Sequence, residues 1–214
     1  MLFRSNATAY QETCATVALA QWGHRLALLY GDAKYADVVE RALYNGVLAG
    51  VSQDGTKFFY VNPLESAGRH HRQPWFGCAC CPPNVARTIA SLGGYAYAVS
   101  DDALWVNLYI QGSVKAKVAG IPVELKVTTD YPWDGKVVIE PVVKQPTSFE
   151  LRLRLPAWCE TPSLLVNGRR ISPLQTEQGY LVVKDKWKRG DKIELNLPMP
   201  DRKSTRLNSS HRIR

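Results

Sequence analysis

The segment "NVARTIASLGGYAYAVS", residues 84–100, is followed at residues 103–114 by "ALWVNLYIQGSV", and the change of period between them decides the fold. The first stretch spaces its apolar residues as a helix does and closes at Gly93-Gly94, whereas the second alternates apolar with polar residues. A helical part followed by a strand part indicates two domains. We predict their boundary near Ser100–Asp102.

Two further helices are predicted upstream of this boundary. The first starts at about Thr13 and stops at Gly31-Asp32, and the second lies near Lys34–Leu48 and ends before Gly50. Their broad apolar faces are typical of helices packed in a bundle or an α/α toroid. Asp54-Gly55 predicts the turn of a short hairpin after them.

Downstream of the boundary, about seven short segments alternate apolar with polar residues and are separated by Gly, Pro and Asn-Gly. Short strands at such regular spacing favour a β-sandwich. The sequence therefore predicts an α + β chain with its helices first and its strands second.

The formal charge of +8 would suggest a nucleic-acid partner if it were spread over a folded surface. Much of it lies at the ends. The stretch "DRKSTRLNSSH", from residue 201, corresponds to the in-frame translation of a common sequencing-library adapter, and "LFRS" at residues 2–5 corresponds to its complementary end. Without residues 201–214 and Arg4 the charge falls from +8 to +3. We interpret residues 1–5 and 201–214 as adapter-like artefacts and expect no nucleic-acid partner.

No membrane partner is expected either, because no apolar run approaches the roughly 18–20 residues that span a bilayer. The first residues also lack the apolar segment of a secretory signal. Five cysteines form no recognisable disulfide framework, and reduced thiols favour a reducing, cytoplasmic compartment. The oligomeric state is left open.

The stretch "FGCACCPPN", residues 76–84, holds three of the five cysteines. A disulfide between adjacent Cys80 and Cys81 would be strained, because bridged cysteines keep their Cα atoms about 5.5 Å apart. Zinc takes four ligands from thiolates, imidazoles and carboxylates, and Glu12 and Cys14 of "ETC" would complete a set of one carboxylate and three thiolates. Buried structural thiols explain the spacing equally well. A redox or metal-transfer pair is disfavoured, because the rigid Pro82-Pro83 indicates a fixed site.

Four segments carry a resemblance to a known family: "NATAYQETCA" (6–15), "FFYVNPLES" (58–66), "CACCPPN" (78–84) and "LRLRLPAWC" (151–159). Together they resemble the β-L-arabinofuranosidases of glycoside hydrolase family 127, over residues 6–200. The resemblance implies a multidomain α + β architecture. Residues 6–101 would form the C-terminal part of a catalytic (α/α)6 toroid, and residues 102–200 an antiparallel β-sandwich.

The resemblance also implies a zinc ion (Zn²⁺) held by Glu12, Cys14, Cys80 and Cys81, with Cys80 as the nucleophile and Tyr60 in contact with the substrate. An ordinary cysteine, with a pKa of about 8.5, is mostly protonated at neutral pH, and zinc would remove that proton. The implied partner is a glycan with terminal β-L-arabinofuranosyl residues, hydrolysed with retention of configuration. The alternative is a non-catalytic structural zinc site beside a carbohydrate-binding β-sandwich.

The general acid/base of this family is a glutamate upstream of "ETC", yet the eleven residues before Glu12 include no acidic side chain. Glu65 and Glu40 are the nearest substitutes, and we interpret Glu40 as a solvated helix charge. His70-His71 are expected in a solvated loop. We therefore expect the parent protein to be a hydrolase and this chain to be inactive alone.

Overall fold

A computed structural model of the chain describes Asn6 and residues 9–200. Over these residues the protein is α + β, with its named helices before its named strands. The helical elements are α1 (Thr13–Tyr30), α2 (Ala33–Ala42), α3 (Cys81–Ala90) and α4 (Gly93–Ala96), with a π-helical turn at Leu43–Val47 and a 3-10 turn at Leu48–Gly50. The adapter-like segments inferred from the sequence, residues 1–5 and 201–214, lie outside the described residues.

The helix ends partly follow the sequence prediction. Helix α1 ends where expected, because Gly31 takes the left-handed conformation (φ 61°) and its N–H donates to the Ala27 carbonyl. Helix α2 ends earlier than predicted, where the backbone changes to π-helical pairing. Helix α3 begins at Cys81, before the two prolines, three residues earlier than the helical stretch identified from residue 84. Prolines fit a first helical turn, where their missing N–H costs no hydrogen bond.

The strands form two sheets. They are β1 (Tyr97–Val99), β2 (Ala103–Val106), β3 (Gly112–Val118), β4 (Ile121–Thr129), β5 (Lys136–Val142), β6 (Thr147–Arg154), β7 (Ser163–Val166), β8 (Arg169–Arg170), β9 (Thr176–Glu177), β10 (Tyr180–Trp187) and β11 (Ile193–Asn196). One sheet has the order β1-β2-β6-β10-β9 and the other β3-β4-β5-β11-β7-β8.

Two details of the strand prediction are corrected. The single strand expected over residues 103–114 is broken, and its two parts, β2 and β3, belong to different sheets. Strand β2 also runs parallel to β6, with Leu104 opposite Leu151, whereas the other named strand pairs of the described chain are antiparallel. The sheets are therefore not wholly antiparallel.

One apolar core joins the two sheets face to face. Its fully buried members come from both layers and include Leu104, Leu151, Leu181, Leu125, Ile139 and Leu195. Cys159 is buried at this core. A smaller cluster with Val17, Val39, Val47 and Val85 packs the helices together. No helix within the described residues has the length and apolar character needed to cross a membrane.

A buried ionic cluster connects the strands to α2. The Arg154 side chain, at the end of β6, is fully buried and its guanidinium binds the carboxylates of Asp37 and Glu40. The Tyr131 hydroxyl also donates to Glu40, at 2.6 Å. The interpretation of Glu40 as a solvated helix charge is therefore wrong. Glu40 is only 7% exposed, and its negative charge is neutralised by Arg154.

Gly135 lies where two backbone segments touch, just before β5. The Leu197 N–H donates to the Gly135 carbonyl at 2.9 Å, and a Cβ at Gly135 would overlap the Leu197 carbonyl oxygen. We expect Gly135→Ala to lower the free energy of unfolding by about 1–3 kcal/mol, measured by urea denaturation, since the backbone must shift. Gly94→Ala, whose Cβ would meet nothing within 4 Å, is the control. Equal stability of the two variants would contradict the overlap.

Candidate metal centre

Four residues from two helix starts meet at one point. Glu12 is the N-cap of α1, in extended conformation, and Cys14 lies in the first turn of that helix. Cys80 is the N-cap of α3, and Cys81 is its first residue. Because α3 begins at the cysteines, the adjacent side chains of Cys80 and Cys81 are both presented toward α1 and contact Cys14.

The ligand atoms of these residues form a compact cluster. The Cys14 Sγ lies 3.2 Å from the Cys80 Sγ and 3.3 Å from the Cys81 Sγ, and the last two sulfurs are 3.7 Å apart. The Cys80 Sγ is 3.5 Å from Glu12 Oε1. All four ligand atoms lie within 4.8 Å of one another, an arrangement that could hold a metal ion. The structure thus brings together every ligand that the sequence suggested.

The surroundings of Cys14 and Cys81 disfavour their ionised thiols in the absence of a cation. Burial raises the pKa of the Cys14 thiol, and it raises the pKa of the Cys81 thiol well above its ordinary value. Cys78, which the sequence resemblance excluded from the ligand set, is exposed and is not part of the cluster.

Two polar side chains that the sequence analysis missed hold the ligands in place. The Asn84 amide donates to the Cys14 Sγ at 3.1 Å, and Arg87 donates to Asn84 Oδ1 at 2.9 Å, which fixes the orientation of the amide. The Tyr10 hydroxyl donates to Glu12 Oε2 at 3.0 Å. The signal for Asn84 was present in "CCPPN", because a residue three positions after Cys81 lies on the same side of a helix.

A second set of hydrogen bonds ties the segment around Tyr60 to the start of α1. The Thr13 N–H donates to the Tyr60 carbonyl and the Thr13 hydroxyl to the Phe59 carbonyl, both at 2.9 Å. The Asn62 amide donates to the Thr13 hydroxyl at 2.9 Å and to the Gly46 carbonyl at 3.1 Å. Tyr60 is therefore held at a fixed place beside the thiols.

The side chain of Tyr60 faces Cys80. Interaction with the Cys80 side chain raises the pKa of the Tyr60 hydroxyl, and the Tyr60 ring meets the Phe76 ring edge-on at 5.7 Å. A cavity of about 220 Å³ opens beside Tyr60 and includes His70 and His71 in its wall. Both histidines are exposed, as expected for a loop, although His70 Nε2 donates to the Val61 carbonyl at 2.8 Å.

Two family models match the chain in succession. Residues 3–94 match the model described as the catalytic domain of β-L-arabinofuranosidase, GH127, and residues 103–199 match the model of the GH127 middle domain. A non-reducing end β-L-arabinofuranosidase from Bifidobacterium longum subsp. longum is 37% identical, over 91% of this chain and 31% of its own length.

Solved structures agree. A GH127 β-L-arabinofuranosidase from Geobacillus stearothermophilus T6 superposes with a TM-score of 0.86 at 45% identity, and a GH127 β-arabinofuranosidase with a TM-score of 0.86 at 42% identity; each match covers 91% of this chain and 33% of the other. The chain thus spans about a third of the length of these relatives. With two domain models of one family matched in succession along it, the chain belongs to glycoside hydrolase family 127.

Proposed function

We propose that the chain carries the metal-binding and nucleophilic part of a retaining β-L-arabinofuranosidase, an enzyme that removes terminal β-L-arabinofuranosyl residues from glycans. The observation that carries the proposal is the convergence of Glu12, Cys14, Cys80 and Cys81, with ligand atoms within 4.8 Å of one another. In the whole enzyme, residues 6–101 would belong to an (α/α)6 toroid and residues 102–200 to the β-sandwich domain.

The metal that this donor set fits best is zinc. Tetrahedral zinc with Zn–S bonds of about 2.3 Å separates two sulfur ligands by about 3.8 Å and a sulfur from an oxygen by about 3.5 Å. The separations of 3.2–3.7 Å between sulfurs, and of 3.5 Å between Cys80 Sγ and Glu12 Oε1, lie close to these values. Thiolates also select a soft metal over calcium or magnesium. Zinc, when bound, would keep the thiols deprotonated and fix the positions of their sulfurs.

Cys80 is the best placed of the three thiols for attack on a sugar. Cys81 is fully buried, and the Cys14 sulfur is engaged by Asn84. Cys80 is half-buried and faces the Tyr60 hydroxyl. The Cys80 sulfur would attack the anomeric carbon, forming a C–S bond as the bond to the leaving oxygen breaks. Water would then displace the sulfur, which restores the thiolate and gives net retention.

Tyr60 would contact the bound arabinofuranosyl ring, because its hydroxyl lies beside the attacking sulfur. The leaving oxygen also needs a proton from a general acid. Glu40 is not that acid, since its carboxylate is bound by Arg154 and Tyr131. Glu65 is exposed and has no contact that supports the role.

Zinc content tests the metal site directly. We expect about one zinc per chain by elemental analysis of the purified protein, and a strong loss of zinc in Cys80→Ser, because one of four ligands is weakened. Cys78→Ser is the matched control, since this cysteine is two residues away and outside the cluster. Equal zinc content in all three proteins, or none in folded wild type, would refute the site.

A further inference from the structure

A cavity between α2 and the strand part lies apart from the thiol cluster. Its volume is about 640 Å³, and none of Glu12, Cys14, Cys80 and Cys81 lines it. Cavities that bind small ligands in proteins typically measure about 300–1,000 Å³. The cavity is therefore large enough for one or two sugar rings.

Aromatic side chains dominate the rim of this cavity. Trp133 is 92% exposed and Trp158 is 38% exposed, and the Trp158 ring stacks with the Tyr131 ring at a centroid distance of 6.4 Å and an angle of 22°. Large apolar side chains left in water in one patch commonly mark a binding surface. The face of a sugar ring carries C–H groups, and flat aromatic rings suit such a face.

Backbone hydrogen bonds fix the segment that carries Tyr131 and Trp133. The Trp133 N–H donates to the Asp130 carbonyl at 2.8 Å. Gly135, two residues later, is fixed against Leu197 by the hydrogen bond described above. Tyr131 is anchored through its hydroxyl to Glu40. Tyr131 and the backbone at Trp133 are thus fixed before a ligand binds, which reduces the conformational entropy lost on binding.

The polar side chains of the cavity favour an uncharged ligand. The carboxylates of Asp37 and Glu40 both bind the buried Arg154, which offsets one of their two negative charges. Arg41, on the same wall, offsets the other. Arg41 and Asn45 are exposed and four positions apart along the chain, so their side chains can donate and accept hydrogen bonds with hydroxyl groups. A wall with no net charge gives neither an anion nor a cation an advantage.

We propose that this cavity is a second carbohydrate site, which binds a neutral arabinofuranosyl glycan away from the thiol cluster. Trp133 and Trp158 would stack on the sugar rings, and Asp37, Arg41 and Asn45 would bind their hydroxyls. The choice of glycan rests on the proposed function, whereas the site itself does not depend on the metal.

Isothermal titration calorimetry of the 214-residue chain with a β-L-arabinofuranosyl oligosaccharide tests the site. We expect Trp133→Ala to weaken binding by about tenfold, the loss of one aromatic stacking contact. Trp22→Ala is the matched control, because Trp22 is an exposed tryptophan of α1 that does not line the cavity. Trp158→Ala serves as a second cavity variant if Trp133→Ala fails to fold by circular dichroism.

The outcomes separate this site from the proposed metal centre. Binding that is weakened in Trp133→Ala or Trp158→Ala but unchanged in Trp22→Ala supports the cavity, even if the chain holds no zinc. Equal binding by wild type and both cavity variants, or no heat of binding in wild type, overturns the proposal and leaves the zinc measurement unaffected.

Discussion

Cys80→Ser, introduced into the complete enzyme, is expected to lower kcat for hydrolysis of a β-L-arabinofuranoside by about 10⁴-fold or more, the scale seen when a catalytic nucleophile is removed. A serine hydroxyl is a far weaker nucleophile and a poorer metal ligand than a thiolate. Steady-state kinetics with a chromogenic arabinofuranoside measures the loss. Cys78→Ser is the control and should retain near wild-type kcat.

Mass spectrometry separates a nucleophile from a ligand that only supports the site. Acid quenching during turnover should trap one pentosyl residue on the peptide that contains Cys80, because a thioether is stable once the protein unfolds. Turnover that persists in Cys80→Ser, or an adduct found on another side chain, would rule out this assignment.

Arg154→Met is expected to lower the free energy of unfolding by about 3–5 kcal/mol, because it leaves the buried carboxylates of Asp37 and Glu40 without a counter-charge. The same substitution removes the donor to the Asn107 carbonyl, which Arg154 Nε approaches at 2.5 Å. Chemical denaturation followed by circular dichroism gives the change in stability.

Two further variants isolate the cause. Lys126→Met breaks an exposed ion pair with Glu140 at 3.9 Å and should cost less than about 1 kcal/mol. Adding Asp37→Asn and Glu40→Gln to Arg154→Met should recover part of the stability, since the unpaired charges are then removed. A triple variant no more stable than Arg154→Met would show that lost packing, not unpaired charge, is responsible.

The local features of this fold could be predicted from the sequence, because they depend on residues that are close together along the chain. Gly31 ends α1 through a left-handed conformation that glycine adopts readily, and the alternating segments after Ala103 do form strands. The four candidate ligands were identified through chemistry and resemblance, and they do converge. The spacing of the cysteines alone did not distinguish a metal site from buried structural thiols.

The features that sequence reasoning missed depend on contacts between distant residues. Glu40 looks like an exposed helix charge until β6 places Arg154 against it, 114 residues later in the chain. The parallel pairing of β2 with β6 likewise cannot be read from alternation, because alternation defines the two faces of a strand but not the direction of its neighbour.

The wide separation of the cysteines along the chain has a consequence for biosynthesis. Cys14 and Cys80 touch in the folded protein although 66 positions separate them. While the ribosome is still making the intervening segment, the nascent chain holds two of the four proposed ligands, Glu12 and Cys14. A metal shared by these side chains can be captured only after α3 has emerged, so metal acquisition would follow, and depend on, the docking of α3 against α1.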